Sequence, residues 1–230
     1  MKRAALGAAL VVALAGCGSS SSTSSAGRAT LWVTRDRGSH VLYSTSVPAG
    51  ESVVQALDRV ANVKTRFGGR YVRGVDGLEE HGNRAWFYYV NGYLADRSAA
   101  DYRLRAGDVA WWDYRAWHNP AQDPLAVGAF PQPFLSGYDG KRHRTVIVTV
   151  DAGRVHGLAR RLHAMVVPLG AGALSQDVNV ISIGQGGPTS ARLGFVSSTA
   201  PGAPVRLSFS GDPKLLLRPR PFHFRYEVGG

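Results

Sequence analysis

Ala85 to Tyr93 reads AWFYYVNGY, and some sixteen residues further on Val109 to Trp117 reads VAWWDYRAW. Ten of the chain's 22 aromatic residues, and four of its five tryptophans, lie between Trp86 and Trp117. Side chains alternate along a strand with a period of two. Trp86, Tyr88 and Val90 therefore share one face of the first strand, with Phe87 and Tyr89 on the other. On the second strand Val109, Trp111, Asp113 and Trp117 share one face, and Trp112 and Tyr114 the opposite one. Both faces of both strands are aromatic, and soluble proteins avoid leaving a large apolar face open to water. A single helix covers only one of these faces. The other must pack on a second part of the chain, hold a ligand, or remain as an exposed patch.

The segments around these strands supply the rest of a small α+β unit. ATLWVTRDRGSHVLYSTSV, from Ala29, places two β-branched and aromatic runs around a turn-rich RDRGS, a hairpin signal. ESVVQALDRVAN predicts a helix of about three turns, with Val53, Val54, Leu57, Val60 and Ala61 on one face and a Ser52–Gln55 capping box at its start. RFGGRYVRGVDGLEE reads as a strand interrupted by glycines, and Asn91-Gly92 is a strong hairpin dipeptide. A further turn at Gly107-Asp108 leads into the last aromatic strand.

A helix followed by WFYYVNG and then LRAGDVAWWDY resembles the β-grasp family typified by the C-terminal domain of transcobalamin and intrinsic factor. The resemblance covers roughly residues 29–117 and implies a mixed sheet with one helix. It also implies a small ligand, a corrinoid among the candidates, held against the aromatic strands. The binding residues expected on this basis are Trp86, Tyr88, Tyr89, Tyr93, Trp111, Trp112 and Tyr114. In the vertebrate carriers a large helical barrel holds the other face of cobalamin; this sequence contains no counterpart to it.

The N-terminus has a positive start at Lys2 and Arg3, an apolar run from Ala4 to Ala13, and then LAGC. That run is too short for a spanning helix of about 20 apolar residues and reads as an export signal. Leu-Ala-Gly-Cys resembles the lipobox of bacterial lipoproteins, which implies cleavage before Cys17, a diacylglycerol on its sulfur, and anchoring to the outer face of the cell membrane. Cys17 is the only cysteine, so it has no disulfide partner in the chain. The expected organisation is a signal over 1–17, a flexible Gly/Ser tether over 18–28, the β-grasp domain over 29–118, a Pro/Gly-rich connector over 119–141, and a small basic α/β or α+β domain over 142–230. In this last part RTVIVTV, RVHGLARRLHAMVV and VNVISIG read as β-α-β, with Val155, Leu158, Leu162 and Met165 inward on the helix. APVRLSFSG and PFHFRYEV read as further strands.

The formal net charge of +11 is concentrated late in the chain, where residues 125–230 hold twelve Lys and Arg against five Asp and Glu. An exported chain does not meet nucleic acid, so an anionic wall polymer, phospholipid headgroups or a partner protein are the partners such a charge implies, if it is not simply a solubilising surface. The lipid anchor that the lipobox resemblance implies would suit delivery of a captured ligand to a membrane transporter.

No pattern for catalysis emerges, and the chain reads as a non-enzyme without a resident cofactor or metal. The seven histidines form no metal-ligand spacing. GQGGPTS at 184–190 lacks the Lys-Ser/Thr ending of a phosphate loop and reads as a wide turn. Glu79 and Glu80 read as solvated carboxylates, and Asp108 as a turn residue that caps backbone amides. Asp113, set among rings, is expected to meet Arg115, an arginine of the second half, or a ligand amide. Replacing Cys17 with Ser is expected to abolish metabolic labelling with palmitate; continued labelling would remove the lipid anchor from the account.

Overall fold

The computed structural model describes residues 27–117 and 123–229. Cys17, most of the tether and the Asn119-Pro120 step lie outside the described residues. The architecture is α+β, with three sheets and few helices.

Strands β1 (Arg28–Arg35) and β2 (His40–Pro48) form an antiparallel hairpin. Helix α1 (Val53–Asp58) follows, with both halves of the Ser52–Gln55 capping box in place. It is half the expected length. Val60 N–H already bonds back to Leu57 in a tightened turn, and Val60 and Ala61 lead into β3 (Val63–Arg66) while packing at the edge of the core. The glycines after Phe67 turn the chain rather than interrupt one strand: β3, β4 (Tyr71–Val75) and β5 (Leu78–Glu79) make a three-stranded sheet. Strands β6 (Arg84–Val90) and β7 (Tyr93–Leu94) are joined by Asn91-Gly92, both at positive φ as a two-residue hairpin turn requires. Strand β8 (Val109–Ala116) completes a sheet of order β2-β1-β8-β6-β7, parallel only between β1 and β8.

The two faces of this sheet have different covers. On one, Trp86, Tyr88, Trp112 and Tyr114 pack with Val53, Ala56 and Leu57 of α1 and with Val72 and Val75 of β4. On the other, Trp32, Tyr89 and Trp111 lie under Ala126 and Ala129 of the connector and Phe224 and Tyr226 of the C-terminal segment. The connector passes so close that a Cβ on Gly128 would sit 2.8 Å from the Arg225 carbonyl and 3.0 Å from the Trp111 ring. Only glycine fits there.

Asp113 fastens this second cover. Its carboxylate is fully buried and accepts hydrogen bonds from Thr34 Oγ1 (2.6 Å), Tyr226 Oη (2.8 Å) and the amides of Arg37 (3.1 Å) and Gly38 (3.3 Å). Hydroxyls and the β1–β2 turn thus take the place of the expected arginine. Arg115 instead stacks on Phe87, with its guanidinium carbon 4.2 Å from the ring centroid, and lies 3.6 Å from Asp123.

After a short helix α2 (Gln132–Leu135), β9 (Thr145–Thr149), α3 (Ala152–Leu162) and β10 (Met165–Pro168) form a parallel β-α-β unit. With β11 (Asn179–Ile183), β12 (Ser190–Phe195) and β13 (Val205–Ser210) they build a sheet of order β10-β9-β11-β13-β12, in which β12 alone runs antiparallel. Helix α3 buries Val155, Leu158, Ala159 and Leu162, and ends where His163 adopts the left-handed conformation. Met165 therefore belongs to β10, exposed rather than inward. A 3₁₀ turn, Pro213–Leu217, packs beside α3. PFHFRYEV is no strand: Phe222 enters the second core against Phe130 and Phe209, whereas Phe224 and Tyr226 enter the first, so successive rings serve different sheets.

Replacing Asp113 with Ala would remove the acceptor of the Tyr226 hydroxyl and of two amides, and leave Thr34 only its 3.3 Å contact with the Trp112 carbonyl. It is expected to lower unfolding free energy by about 3 kcal/mol, measured by urea denaturation; a loss under about 1 kcal/mol would show that Asp113 does not hold the cover.

Candidate functional site

A groove of about 650 Å³ lies between the β3–β4 hairpin, the outer edge of β6 and the segment after β7. Its floor is aromatic, with Trp86, Tyr88 and Trp112, and its walls carry Tyr71, Arg70 and Arg97. Phe67 stands at the mouth on the hairpin tip, 77% exposed and at positive φ. An exposed ring held in a backbone conformation that bulky residues disfavour is unusual.

Hydrogen bonds fix the floor. Tyr88 stacks at a tilt on Trp112, with ring centroids 4.9 Å apart, and donates to the Arg97 carbonyl at 2.7 Å. Trp86 Nε1 donates to the Leu78 carbonyl at 2.9 Å. The Trp112 indole N–H is buried without a hydrogen-bond partner. At the rim Arg70 pairs with Asp101, and Arg97 with Asp96 and Asp139, so the cations are held in place. Glu79 and Glu80, expected to be solvated, are ion-paired with Lys64, Arg66 and Arg73, and Glu80 also accepts from Tyr71 Oη at 2.7 Å.

The backbone of β6 adds a second kind of group. Asn91 N–H bonds to Val109 O and Trp117 N–H to Asn83 O, both at 2.9 Å, which fixes the odd-numbered residues of β6 as those facing β8. Even-numbered residues face the opposite edge. There Ala95 N–H closes on Tyr88 O at one end, and His81 exchanges bonds with Arg84 at the other. Between them the amides of Trp86 and Tyr88 and the carbonyl of Trp86 have no hydrogen-bond partner among the described residues. The same stretch lines the groove. Strand β7 is two residues long, too short to cover it.

The structure separates the seven expected binding residues. Trp86, Tyr88 and Trp112 come together in the groove. Tyr89 and Trp111 lie on the opposite face beneath Tyr226, with ring centroids 5.5 and 5.1 Å from it. Tyr93 packs on Tyr138 and Phe195, its hydroxyl donating to the Ala203 carbonyl at 3.1 Å. Tyr114 packs on Trp86 under the Arg84 guanidinium and donates to the Glu79 carbonyl at 2.8 Å. Phe67, Arg70, Tyr71 and Arg97 are the groove residues that strand periodicity does not single out. The one sequence sign for Phe67 is an aromatic residue directly before two glycines. Among the described residues no group of His, Cys, Asp or Glu is placed to hold a metal ion.

Residues 50–116 match the profile of a domain of unknown function, DUF4430, a stretch that contains every groove residue. Among solved structures, haptocorrin in complex with Cbi aligns at 15% identity and a TM-score of 0.34, over 40% of this chain and 26% of that one. The chain thus corresponds to about a quarter of haptocorrin's length. A candidate metal-binding protein from Ruminococcus gnavus ATCC 29149 aligns at 12% identity and a TM-score of 0.33, over 40% of this chain and 99% of that one. No curated protein matches the chain.

Burial pushes the phenol of Tyr71, in the groove wall, up to about 12, with the Glu80 carboxylate adding to the shift, and burial pushes Tyr89 up to about 12 as well. Such a phenol keeps its proton in the folded chain after the unfolded chain has lost it. The associated stability is complete below pH 10 and declines as pH rises from 10 through 12. Phenolate absorbance of the native protein is expected to lag that of the denatured chain across this window; coincident curves would show the rings to be solvated.

Proposed function

We propose that the protein is an exported, lipid-anchored binding module of β-grasp type that captures a small ligand in the groove beside β6 and delivers it to a membrane transporter. The observation that carries this reading is the pairing of an aromatic floor with unpartnered backbone groups in one cavity. The floor rings supply apolar edges, and the Trp86 and Tyr88 amides supply two donors to a ligand acceptor. The rim arginines, already neutralised by carboxylates, favour a ligand with amide or hydroxyl groups over a free polyanion. The reading is one of binding, since the floor rings and the β6 backbone groups suit contact with a ligand.

A corrinoid bearing peripheral amides has this chemistry, and it is the ligand class suggested by the sequence resemblance. The groove accounts for one face of such a ligand; the transporter is proposed to meet the other. Tryptophan fluorescence during titration with cobalamin and cobinamide tests the reading. Saturable quenching with a dissociation constant at or below about 30 µM is expected. Phe67→Ala is expected to weaken binding about fivefold with unchanged thermal stability, since the ring is exposed. Absence of quenching by either ligand would end the corrinoid version, and an unaffected Phe67→Ala variant would move the site away from this groove.

A further inference from the structure

In the first part of the chain nearly every cation has a carboxylate partner, and fourteen of the fifteen ion pairs among the described residues fall there or reach into it. Residues 125–230 differ. Of their twelve Lys and Arg, only Arg192 forms an ion pair among the described residues, with Glu227. The other four acids are used elsewhere: Asp139 pairs with Arg97 and Arg105, Asp151 caps α3, Asp212 caps the 3₁₀ turn, and Asp177 bonds Ser175. Local structure has consumed the anions and left the cations unmatched.

Several of these cations share one surface. Helix α3 and the 213–217 turn touch at Gly157, where an added Cβ would lie 3.3 Å from the Leu217 side chain. Arg161 fastens the two by donating to the carbonyls of Leu216 and Arg218, both at 2.9 Å. Arg154, Arg160, Lys214 and Arg218 are exposed along this pair of elements. Leu217 stands exposed among them. Cations without a carboxylate partner, on two touching elements that also carry an exposed leucine, match an interface that is anionic at its surface and apolar just beneath.

We infer that the α3 and 213–217 surface rests on the anionic phospholipid headgroups of a bilayer. A soluble anionic polymer would use the arginines but has no apolar layer for Leu217. The choice of a bilayer draws on the lipid anchor proposed above, which would hold this surface near a membrane. The charge argument stands apart from the groove, and its test uses a chain without the anchor.

The experiment takes the chain from Gly27 onward, which contains every described element, and measures sedimentation with vesicles of phosphatidylcholine alone or with about a third phosphatidylglycerol. Binding to the anionic vesicles only is expected, with release at about 0.5 M salt, where screening acts within about 4 Å. Arg154→Gln with Arg218→Gln is expected to lower partitioning about tenfold. Arg192→Gln with Arg206→Gln, which removes equal charge from strands β12 and β13, is expected to change it less than about twofold. Near-ultraviolet circular dichroism checks that both variants fold. No binding to anionic vesicles, equal losses from the two variants, or binding to soluble polyphosphate without binding to vesicles would each overturn the inference. Loss of corrinoid binding with vesicle binding intact would count against the groove alone.

Discussion

Strand β8 is the centre on which both covers of the first sheet depend. It pairs with β1 on one side and β6 on the other, and seven of its eight residues are buried. A strand sealed on both faces has no solvent to satisfy a polar side chain, yet Asp113 lies in its middle. Its carboxylate is tolerable because four donors converge on it, and those donors come from β1, the β1–β2 turn and the C-terminal segment. One buried charge therefore ties the end of the chain to its beginning. That tie holds Tyr226 over Trp111 and Tyr89 and closes the face that α1 leaves bare.

Closing that face decides where a ligand has room. With Tyr89 and Trp111 under the C-terminal segment, the open space beside the sheet lies on the helix side and at its edge, where β7 ends after two residues. There the groove joins three of the expected rings to backbone groups of β6. The second sheet contributes to this arrangement through the Phe222–Tyr226 segment, whose rings are divided between the two cores. The same half leaves its cations outward because its few acids are spent on caps and on Arg97 and Arg105 of the first part.

Elements with strong local signals were legible in the sequence. The capping box at Ser52, the hairpin at Asn91-Gly92 and the alternation of rings in β6 and β8 follow from spacing alone. Where local signals compete with packing, the reading diverged. The apolar run after His163 continues a helical pattern in sequence, but the backbone turns left-handed there and Met165 starts a strand. PFHFRYEV alternates like a strand, but its rings are drawn to two different cores. The groove was only half visible: Trp86, Tyr88 and Trp112 follow from period two, whereas Phe67, Arg70 and Arg97 are brought in by turns whose placement depends on tertiary contacts. Strand β12 carries little local signal, because only Ala191 and Leu193 mark its buried side.

The proposed ligand site depends on an edge of β6 that is open at Trp86 and Tyr88. Hydrogen exchange resolved to single amides in the free protein tests it most directly. The amides of Phe87 and Tyr89, bonded within the β6–β8 ladder, are expected to be strongly protected, and those of Trp86 and Tyr88 to exchange faster by about a hundredfold or more. Equal protection of all four would contradict the open edge, and with it the placement of the ligand in this groove.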